Sequence, residues 1–301
     1  MTDFLLLLLV GEIWTLVVIL VVKGIRNGIS HVFFYFIGNV VSVCCLLFCF
    51  LLSGRGVEKI TQPGQWAVLS CFVLGSLLNG SAQAVTMYNL RSGGSALTAS
   101  IPQISFLLPF VCGMIFWNEP VTLARISGVL IIAFSVCALA AARNKTPGNA
   151  NWNAGKLFLG LLSAFLQGSS QLVVIMAGYM WPGSMLPNMT RTFYFMLSAT
   201  VFFGVAAALE LKKKGPPPRE SFKWAFFWGI VATVSNLLLF YCVERFTRTN
   251  QSAVVYAAGS AVMMVSFTLY SRFCLKEKPG FFQYCCLAGL IAGLLLSRLG
   301  V

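Results

Sequence analysis

Charged residues are scarce in this sequence. They make up 10% of the 301 residues, whereas an average soluble domain has about 25%. The single histidine, His31, lies at a predicted helix start without the partners of a catalytic triad or a metal site. A phosphate-binding glycine loop with its Lys-Ser/Thr pair is also absent, which excludes ATP as a direct energy source. The sequence therefore predicts no enzymatic activity, no cofactor and no metal.

Patterned cysteines and clustered basic residues are missing as well. Most of the ten cysteines fall inside apolar stretches without a CxxC pair, so we interpret them as packing residues. The net charge is +13, but the basic residues occupy short gaps between apolar runs, which argues against nucleic acid and favours anionic membrane lipids as partners. No basic segment precedes the first apolar run, so we expect this run to remain as a helix and not to be removed as a signal peptide.

Long apolar runs dominate what is present. Hydrophobic residues make up 58% of the chain, and the mean hydropathy is +0.84. A membrane-spanning helix needs about 20 mostly apolar residues. Ten segments approach that length, which predicts an all-α membrane protein with ten transmembrane helices: 4–22, 31–52, 66–87, 96–116, 126–142, 157–177, 193–209, 224–243, 252–270 and 281–296.

The distribution of lysine and arginine predicts the orientation. If both termini are outside, 14 of the 21 basic residues fall in cytoplasmic loops, most densely in "KKKGPPPR" from Lys212 to Arg219. The positive-inside rule favours this arrangement. We therefore expect a multi-pass protein of the cell membrane, such as a bacterial inner membrane, with both termini outside.

The chain also shows signs of an internal repeat. The longest polar stretch, Arg143 to Gly155, leaves five predicted helices on each side. A shift of 156 or 157 residues places "LVVI" at Leu16 on "LVVI" at Leu172, Asn79 on Asn236 and Arg91 on Arg248. An odd number of helices per repeat forces opposite orientations, and inverted repeats are typical of secondary transporters. We predict two inverted five-helix repeats, residues 1–147 and 148–301.

Two matching passages resemble the drug/metabolite transporter superfamily. They are "SALTASIPQISFLLPFVCGMIFWNEPVTLARISGVLIIAFSV" from Ser95 and "SAVVYAAGSAVMMVSFTLYSRFCLKEKPGFFQYCCLAGLIAG" from Ser252. In each, small residues and an apolar run lead to an acidic residue, Glu119 or Glu277, and then to a glycine-bearing helix, as in EamA-type domains. The resemblance implies ten helices in two inverted repeats. By position, we expect both glutamates to complement helix dipoles in a structural role.

Shorter stretches resemble two particular branches. "GSLLNGSAQAVTMYNL" from Gly75 and "VSNLLLFYCVERF" from Val234 are similar to the bacterial glucose and rhamnose uptake branch, which also has its termini outside. "GEIWTLVVILVVK" from Gly11 is similar to the first helix of small multidrug resistance transporters. In that family the glutamate at the position of Glu12 alternately binds protons and cationic drugs. The repeat offset puts Gly168 opposite Glu12, so such exchange would use a single carboxylate.

Glu12 is the first candidate site residue. It lies near the middle of an apolar helix, where a charged side chain costs about 2.5 to 3.5 kcal/mol unless it is neutralised, paired or turned toward a watery cavity. We expect it to face a cavity as a solute ligand and proton-coupling group. The alternative is a structural pair with a basic residue such as Arg125 or Arg191. Trp14 lies on a different face by spacing, and we expect it to pack.

Amide side chains and one tyrosine form the second candidate set. Residues four apart on a helix share a face, and amides offer both donors and acceptors for sugar hydroxyls. Hydrogen bonding between helices is the alternative role, and packing is the alternative for the tyrosine. The predicted solute-binding residues are Asn79, Gln83, Gln167, Gln171, Asn236 and Tyr256, together with Glu12.

The sequence leaves three functions open. The preferred one is a secondary active transporter that moves a small polar metabolite, with a sugar-like solute as first choice, by alternating access. The first alternative is a proton-coupled exporter of cationic or amphipathic compounds centred on Glu12. The second is a membrane receptor or assembly protein without transport. The expected partners are the solute, a coupling proton or cation, and membrane lipids.

Overall fold

Helices account for nearly all of the residues that the structure describes. The computed structural model describes residues 2–26, 30–54, 56–91, 101–120, 122–143, 154–214, 220–274, 276 and 280–299, and no strand occurs among them. The predicted all-α class is therefore confirmed. The predicted repeat boundary between residues 147 and 148 lies outside the described residues, as does Glu277.

The helices follow one another with short connections. The first half contains α1 (Thr2–Arg26), α2 (His31–Leu52), α3 (Pro63–Arg91), a 3-10 segment (Ile101–Phe106) that continues as α4 (Leu107–Phe116), and α5 (Leu123–Arg143). The second half contains α6 (Ala154–Met180), a 3-10 turn (Pro182–Ser184), α7 (Asn188–Lys214), α8 (Glu220–Thr247), α9 (Ser252–Cys274) and α10 (Phe281–Leu299).

The outer surface suits a lipid environment. Within the described residues, seven helices are long and apolar enough to cross a membrane, and three shorter apolar segments accompany them: Ile101–Phe116, Leu123–Leu139 and Phe281–Ser297. Large side chains such as Leu51, Leu123 and Phe281 are at least 80% exposed, which water would penalise and lipid tolerates. The protein is a multi-pass membrane protein, and the count of ten crossings stays a prediction for the three shorter segments.

Two prolines shape the start of α4. Pro102 lies in the 3-10 segment, and Pro109 is the third residue of α4. Pro102 is the second residue of the helical stretch, where an N–H has no acceptor within the helix, whereas Pro109 lies inside the stretch and removes one N–H donor close to the junction of the two geometries. The helical segment therefore changes from 3-10 to α geometry at this place and continues without a break.

The most extensive packing joins the two halves. α3 packs on α6, α5 on α10, α2 on α7 and α8, and α1 on α8 and α9. Glycines allow the closest of these approaches. A Cβ added at Gly128 of α5 would lie 2.6 Å from the Gly293 carbonyl oxygen of α10, and one at Gly293 would lie 2.7 Å from that of Gly128. Small residues at such contacts let helix backbones approach in membranes.

The bundle has two ends, which we name after the residues found there. The Glu119 end holds the start of α1 and the α4–α5, α6–α7 and α8–α9 connections, and the Arg245 Nε donates a hydrogen bond to Asp3 there at 2.6 Å. The Lys23 end holds the end of α1, the start of α2 and the end of α7, where the Ser30 hydroxyl donates to Glu210.

Candidate solute-binding cavity

A cavity of about 330 Å³ lies inside the bundle. Its wall is built by α1, α2, α3, the 3-10 segment 101–106 and α6 to α9. Val21, Tyr35, Met87 and Gln103, which lie close to the Lys23 end of their helices, belong to this wall. The cavity therefore extends from the middle of the bundle toward the Lys23 end.

Six of the seven predicted site residues line this one cavity. α3, α6, α8 and α9 contribute them, and each pair that the sequence placed on one helix face does share a face. Their role as solute ligands stays a prediction, but their convergence is a feature of the fold. The six are Asn79, Gln83, Gln167, Gln171, Asn236 and Tyr256.

The amide groups differ in how far the protein satisfies them. Among the described residues, Asn79, Gln83 and Gln167 have no side-chain hydrogen bond. Asn236 donates from Nδ2 to the Ala232 carbonyl oxygen at 2.8 Å, within its own helix. The remaining donors and acceptors face the cavity and are available to a solute.

Trp14 and Tyr256 form an aromatic wall. Their ring centroids are 6.3 Å apart and their planes are inclined by 31°. Gly259 of α9 leaves room for the indole of Trp14, since a Cβ at this position would lie 2.8 Å from the Trp14 ring. The expectation that Trp14 only packs is incomplete, because this side chain also lines the cavity. Val17, Val18 and Val21 line the same wall. They follow Trp14 at i+3, i+4 and i+7, which is the spacing of residues on one face of a helix.

Sequence reasoning missed several further lining residues on α2 and α8. Asn39 is buried and donates from Nδ2 to the Tyr35 carbonyl oxygen at 2.7 Å. Tyr35 contacts Trp228 edge-on, with ring centroids 5.2 Å apart. Asn39 could have been predicted in the same way as the other amides, since it is the lone amide of an apolar helix. Aromatic residues carry no such signal in a sequence that is 14% aromatic.

The wall of the cavity is uncharged. Every described residue that lines it has an apolar, hydroxyl, amide, thioether or aromatic side chain. An ion transferred there from water would lose hydration without gaining a counter-charge, and an isolated charge is costly to bury. The cavity therefore favours solutes without a net charge.

Glu12 lies outside the cavity, so the expectation that it faces the cavity is wrong. It is exposed on the outer face of α1, which it shares with Leu5, Leu9 and Leu16. The Ser266 hydroxyl of α9 donates a hydrogen bond to its Oε1 at 2.6 Å. The rotation of α1 about its axis decides this, because packing α1 on α9 turns the Trp14 face inward and the Glu12 face outward. Glu12 has no basic partner among the described residues.

Arg125, one of the basic partners considered for Glu12, instead pairs with Glu119 at the Glu119 end. Both side chains are completely buried. Arg125 Nη2 donates to Glu119 Oε2, and Nη1 donates to the Pro120 carbonyl oxygen at 2.9 Å. Asn118 has a left-handed backbone (φ 49°), which asparagine tolerates, and the Glu119 N–H donates to the Gly113 carbonyl oxygen at 3.1 Å. This tight turn directs the Glu119 side chain into the bundle.

The second carboxylate oxygen of Glu119, Oε1, accepts hydrogen bonds from two helices of the other half. Tyr179 Oη at the end of α6 donates to Oε1 at 2.9 Å, and Ser252 Oγ at the start of α9 donates to it at 2.8 Å. The Ala253 N–H lies 3.3 Å from the same oxygen. Glu119 thus caps α9, where a carboxylate complements the helix dipole. The sequence predicts such a role for the helix that follows Glu119, and the structure assigns it to a helix of the second half.

Further charge pairs lie at the same end. Arg191, the other partner considered for Glu12, is 2% exposed and pairs with Glu244, which also pairs with the exposed Arg248. The Arg191 guanidinium lies 5.5 Å from the centre of the Phe72 ring. Phe72 in turn packs edge-on against Phe240, with ring centroids 4.9 Å apart. Charge pairs and packed aromatic rings therefore fill the Glu119 end of the bundle.

Comparisons with known proteins agree with this architecture. Residues 154–299 match the family model described as the EamA-like transporter family. A solved crystal structure, described only as that of a protein, resembles the chain with a TM-score of 0.75 over 99% of this chain and 96% of that one, at 15% sequence identity. That likeness shows a shared fold, and a search of curated proteins finds no match. The family match covers the second half of the chain, and together with the apolar helices it supports a membrane transporter in general.

Proposed function

We propose that the protein is a secondary transporter for a small, uncharged, polar solute, with a sugar-like solute as first choice. The observation that carries the proposal is the cavity itself. It combines an uncharged wall with three amide side chains, Asn79, Gln83 and Gln167, that have no hydrogen bond to the described part of the protein. Unpaired amides facing a cavity favour a ligand that supplies hydrogen-bond donors and acceptors.

The aromatic wall complements the amides. Trp14 and Tyr256 offer flat apolar surface beside the polar groups. A sugar-like ring presents hydroxyl groups at its edge and C–H groups on its faces, so one side of it suits the amides and the other suits the rings. Few, well-placed polar groups in a mostly apolar wall are the usual composition of a small-molecule site.

Alternating access between two inverted halves is the proposed mechanism. A shift by five helices relates α1 to α6, α2 to α7 and α3 to α8. The packing is consistent with this relation, because the contact of α3 with α6 has a counterpart in the contact of α8 with α1. The contact of α2 with α8 likewise has a counterpart in the contact of α7 with α3. Asn79 and Asn236, which the sequence repeat relates, both line the cavity. A site between such repeats can be exposed to each side in turn by rocking of one half against the other.

The two alternatives receive less support. An exporter centred on Glu12 needs that carboxylate in the cavity, and it lies on the outer face of α1. A receptor or assembly protein without transport fits a dry, fully apolar interior, whereas this interior contains a cavity lined in part by amide side chains. Each alternative predicts its own result in a flux experiment.

Flux into proteoliposomes tests the proposal. We expect uptake or exchange of at least one radiolabelled member of a panel of neutral sugars and polyols, and none of quaternary amines. Empty liposomes and a variant with Asn79→Leu and Gln83→Leu serve as controls. Flux of quaternary amines alone, driven by a pH gradient, would favour the exporter. Binding of a solute without any flux would favour the receptor.

A further inference from the structure

Glu119 joins the first half of the bundle to two helices of the second half, at residues 60 and 133 positions further along the chain. Its carboxylate belongs to the α4–α5 connection, its Oε2 accepts from Arg125 of α5, and its Oε1 accepts from Tyr179 and Ser252 of the second half. The Trp117 ring, two residues before it, stacks on Tyr179 with centroids 4.8 Å apart and planes 8° apart. The contact between the halves at this end is therefore organised around one carboxylate.

The contact between the halves at the Glu119 end depends on the charges of both Glu119 and Arg125. Glu119 and Arg125 are completely desolvated, and removal of one partner from a buried ion pair leaves the other as an uncompensated charge. Such a charge is stabilised by water. Loss of the Glu119 charge therefore favours any conformation in which this end separates and water reaches Arg125.

The same carboxylate is linked to the cavity through α9. Glu119 holds Ser252 and Ala253 at the start of this helix, and Tyr256 lies one turn further along and lines the cavity. Residues 252–264 are all buried, so α9 runs through the centre of the bundle. A displacement of its first turn moves the cavity wall, because a helix transmits displacement along its axis.

We infer that Glu119 is a positioning residue that keeps the Glu119 end closed while the cavity faces the Lys23 end. Separation of Glu119 from Ser252 and Tyr179 is then the event that lets the cavity open toward the Glu119 end. This inference rests on the proposed transport function. Glu119 does not line the cavity, so it acts on access and not on solute contacts.

Side-specific labelling of a cavity residue tests the inference. Ser260 lines the cavity and is 4% exposed, so Ser260→Cys reports where the cavity opens. A charged, membrane-impermeant maleimide is applied to one side of proteoliposomes, and the vesicles are sorted by access to an N-terminal tag, which marks the Glu119 end. Peptide mass spectrometry separates this site from the ten native cysteines.

In the otherwise native protein, we expect labelling from the Lys23 side only. Glu119→Gln should raise the labelling rate from the Glu119 side by about tenfold, because the rate follows the population of molecules whose cavity is open toward that side. Glu58→Gln is the matched control, because Glu58 is an exposed carboxylate of the α2–α3 connection at the same end. It should leave the labelling pattern unchanged.

Tyr179→Phe provides a second variant with minimal loss of volume. It removes one hydrogen bond to Glu119 and should raise labelling from the Glu119 side by a smaller factor, and it decides the test if Glu119→Gln does not fold. Unchanged labelling in a folded Glu119→Gln or Tyr179→Phe protein would overturn the inference. The labelling needs no solute, so a flux panel without any transported compound would overturn the proposed function and not this result.

Discussion

Gln171 donates a hydrogen bond from Nε2 to the Ser105 hydroxyl at 3.0 Å, which connects α6 with the 3-10 segment. Its Oε1 is buried and has no hydrogen-bond partner in the described part of the chain. Gln171 is 6% exposed and lines the cavity. An unpaired buried acceptor costs free energy, so a solute gains affinity when its binding turns this oxygen toward the cavity and donates a hydrogen bond to it.

Gln171→Leu should therefore weaken solute binding. A lost hydrogen bond of about 1 to 1.4 kcal/mol corresponds to a dissociation constant raised roughly five- to tenfold. Equilibrium binding of the transported solute, measured by calorimetry in detergent, provides the value. Gln62→Leu is the control, because Gln62 is exposed before α3 and away from the cavity. Equal affinities in the Gln171→Leu and native proteins would contradict a role of this amide in recognition.

Tyr256 should act through its ring. Its hydroxyl makes no hydrogen bond within the described residues, while its ring faces Trp14 across 6.3 Å. Tyr256→Phe should keep near-native flux, and Tyr256→Leu should reduce affinity about three- to tenfold through loss of aromatic contact. Initial flux rates over a series of solute concentrations separate affinity from maximal rate. An equal loss in both variants would assign the effect to the hydroxyl instead.

Glu12→Gln should leave flux of a neutral solute unchanged. The substitution preserves the size of the side chain, and the amide oxygen that replaces the carboxylate can still accept a hydrogen bond from Ser266 on the outer face. Flux with and without a pH gradient, compared with the native protein, is the measurement. Loss of gradient-driven transport in this variant would restore the exporter hypothesis and require a conformation in which Glu12 reaches the cavity.

Arg191→Gln should lower stability far more than Arg248→Gln. Both arginines pair with Glu244, but the Arg191 side chain is 2% exposed and that of Arg248 is 77% exposed. Loss of the buried partner should cost about 3 kcal/mol, the low end for a broken buried pair, because Glu244 remains partly exposed. Thermal unfolding in detergent compares the two melting temperatures. Similar melting temperatures would show that burial of Arg191 contributes little.

Gly128→Val should destabilise the contact between α5 and α10. A Cβ at this position would lie 2.5 Å from the Ser297 backbone nitrogen, so the helices must separate. Overpacking of this kind costs about 1 to 3 kcal/mol, which thermal unfolding in detergent detects. Gly183→Ala is the control, since nothing lies within 4 Å of a Cβ added there. A native melting temperature for Gly128→Val would mean that α5 and α10 separate without cost.

The sequence by itself determined the helices and most of the amide side chains that line the cavity. Apolar runs of sufficient length form helices in a membrane because the backbone must satisfy its hydrogen bonds internally. An amide in such a helix is costly against lipid, so packing turns it inward. Asn79, Gln83, Gln167 and Gln171 could be predicted as inward-facing on these grounds, since their spacing places each pair on one helix face.

Only the tertiary structure decided which way Glu12 and Trp14 face and what Glu119 binds. The apolar pattern around Glu12 is nearly uniform, so hydrophobicity alone does not fix the rotation of α1; close packing against α9 does, through Gly11 and Gly259. Glu119 meets Ser252, 133 positions further along the chain, across the interface of the two halves. Local spacing carries no information about such a contact, because it forms only when the complete bundle is packed.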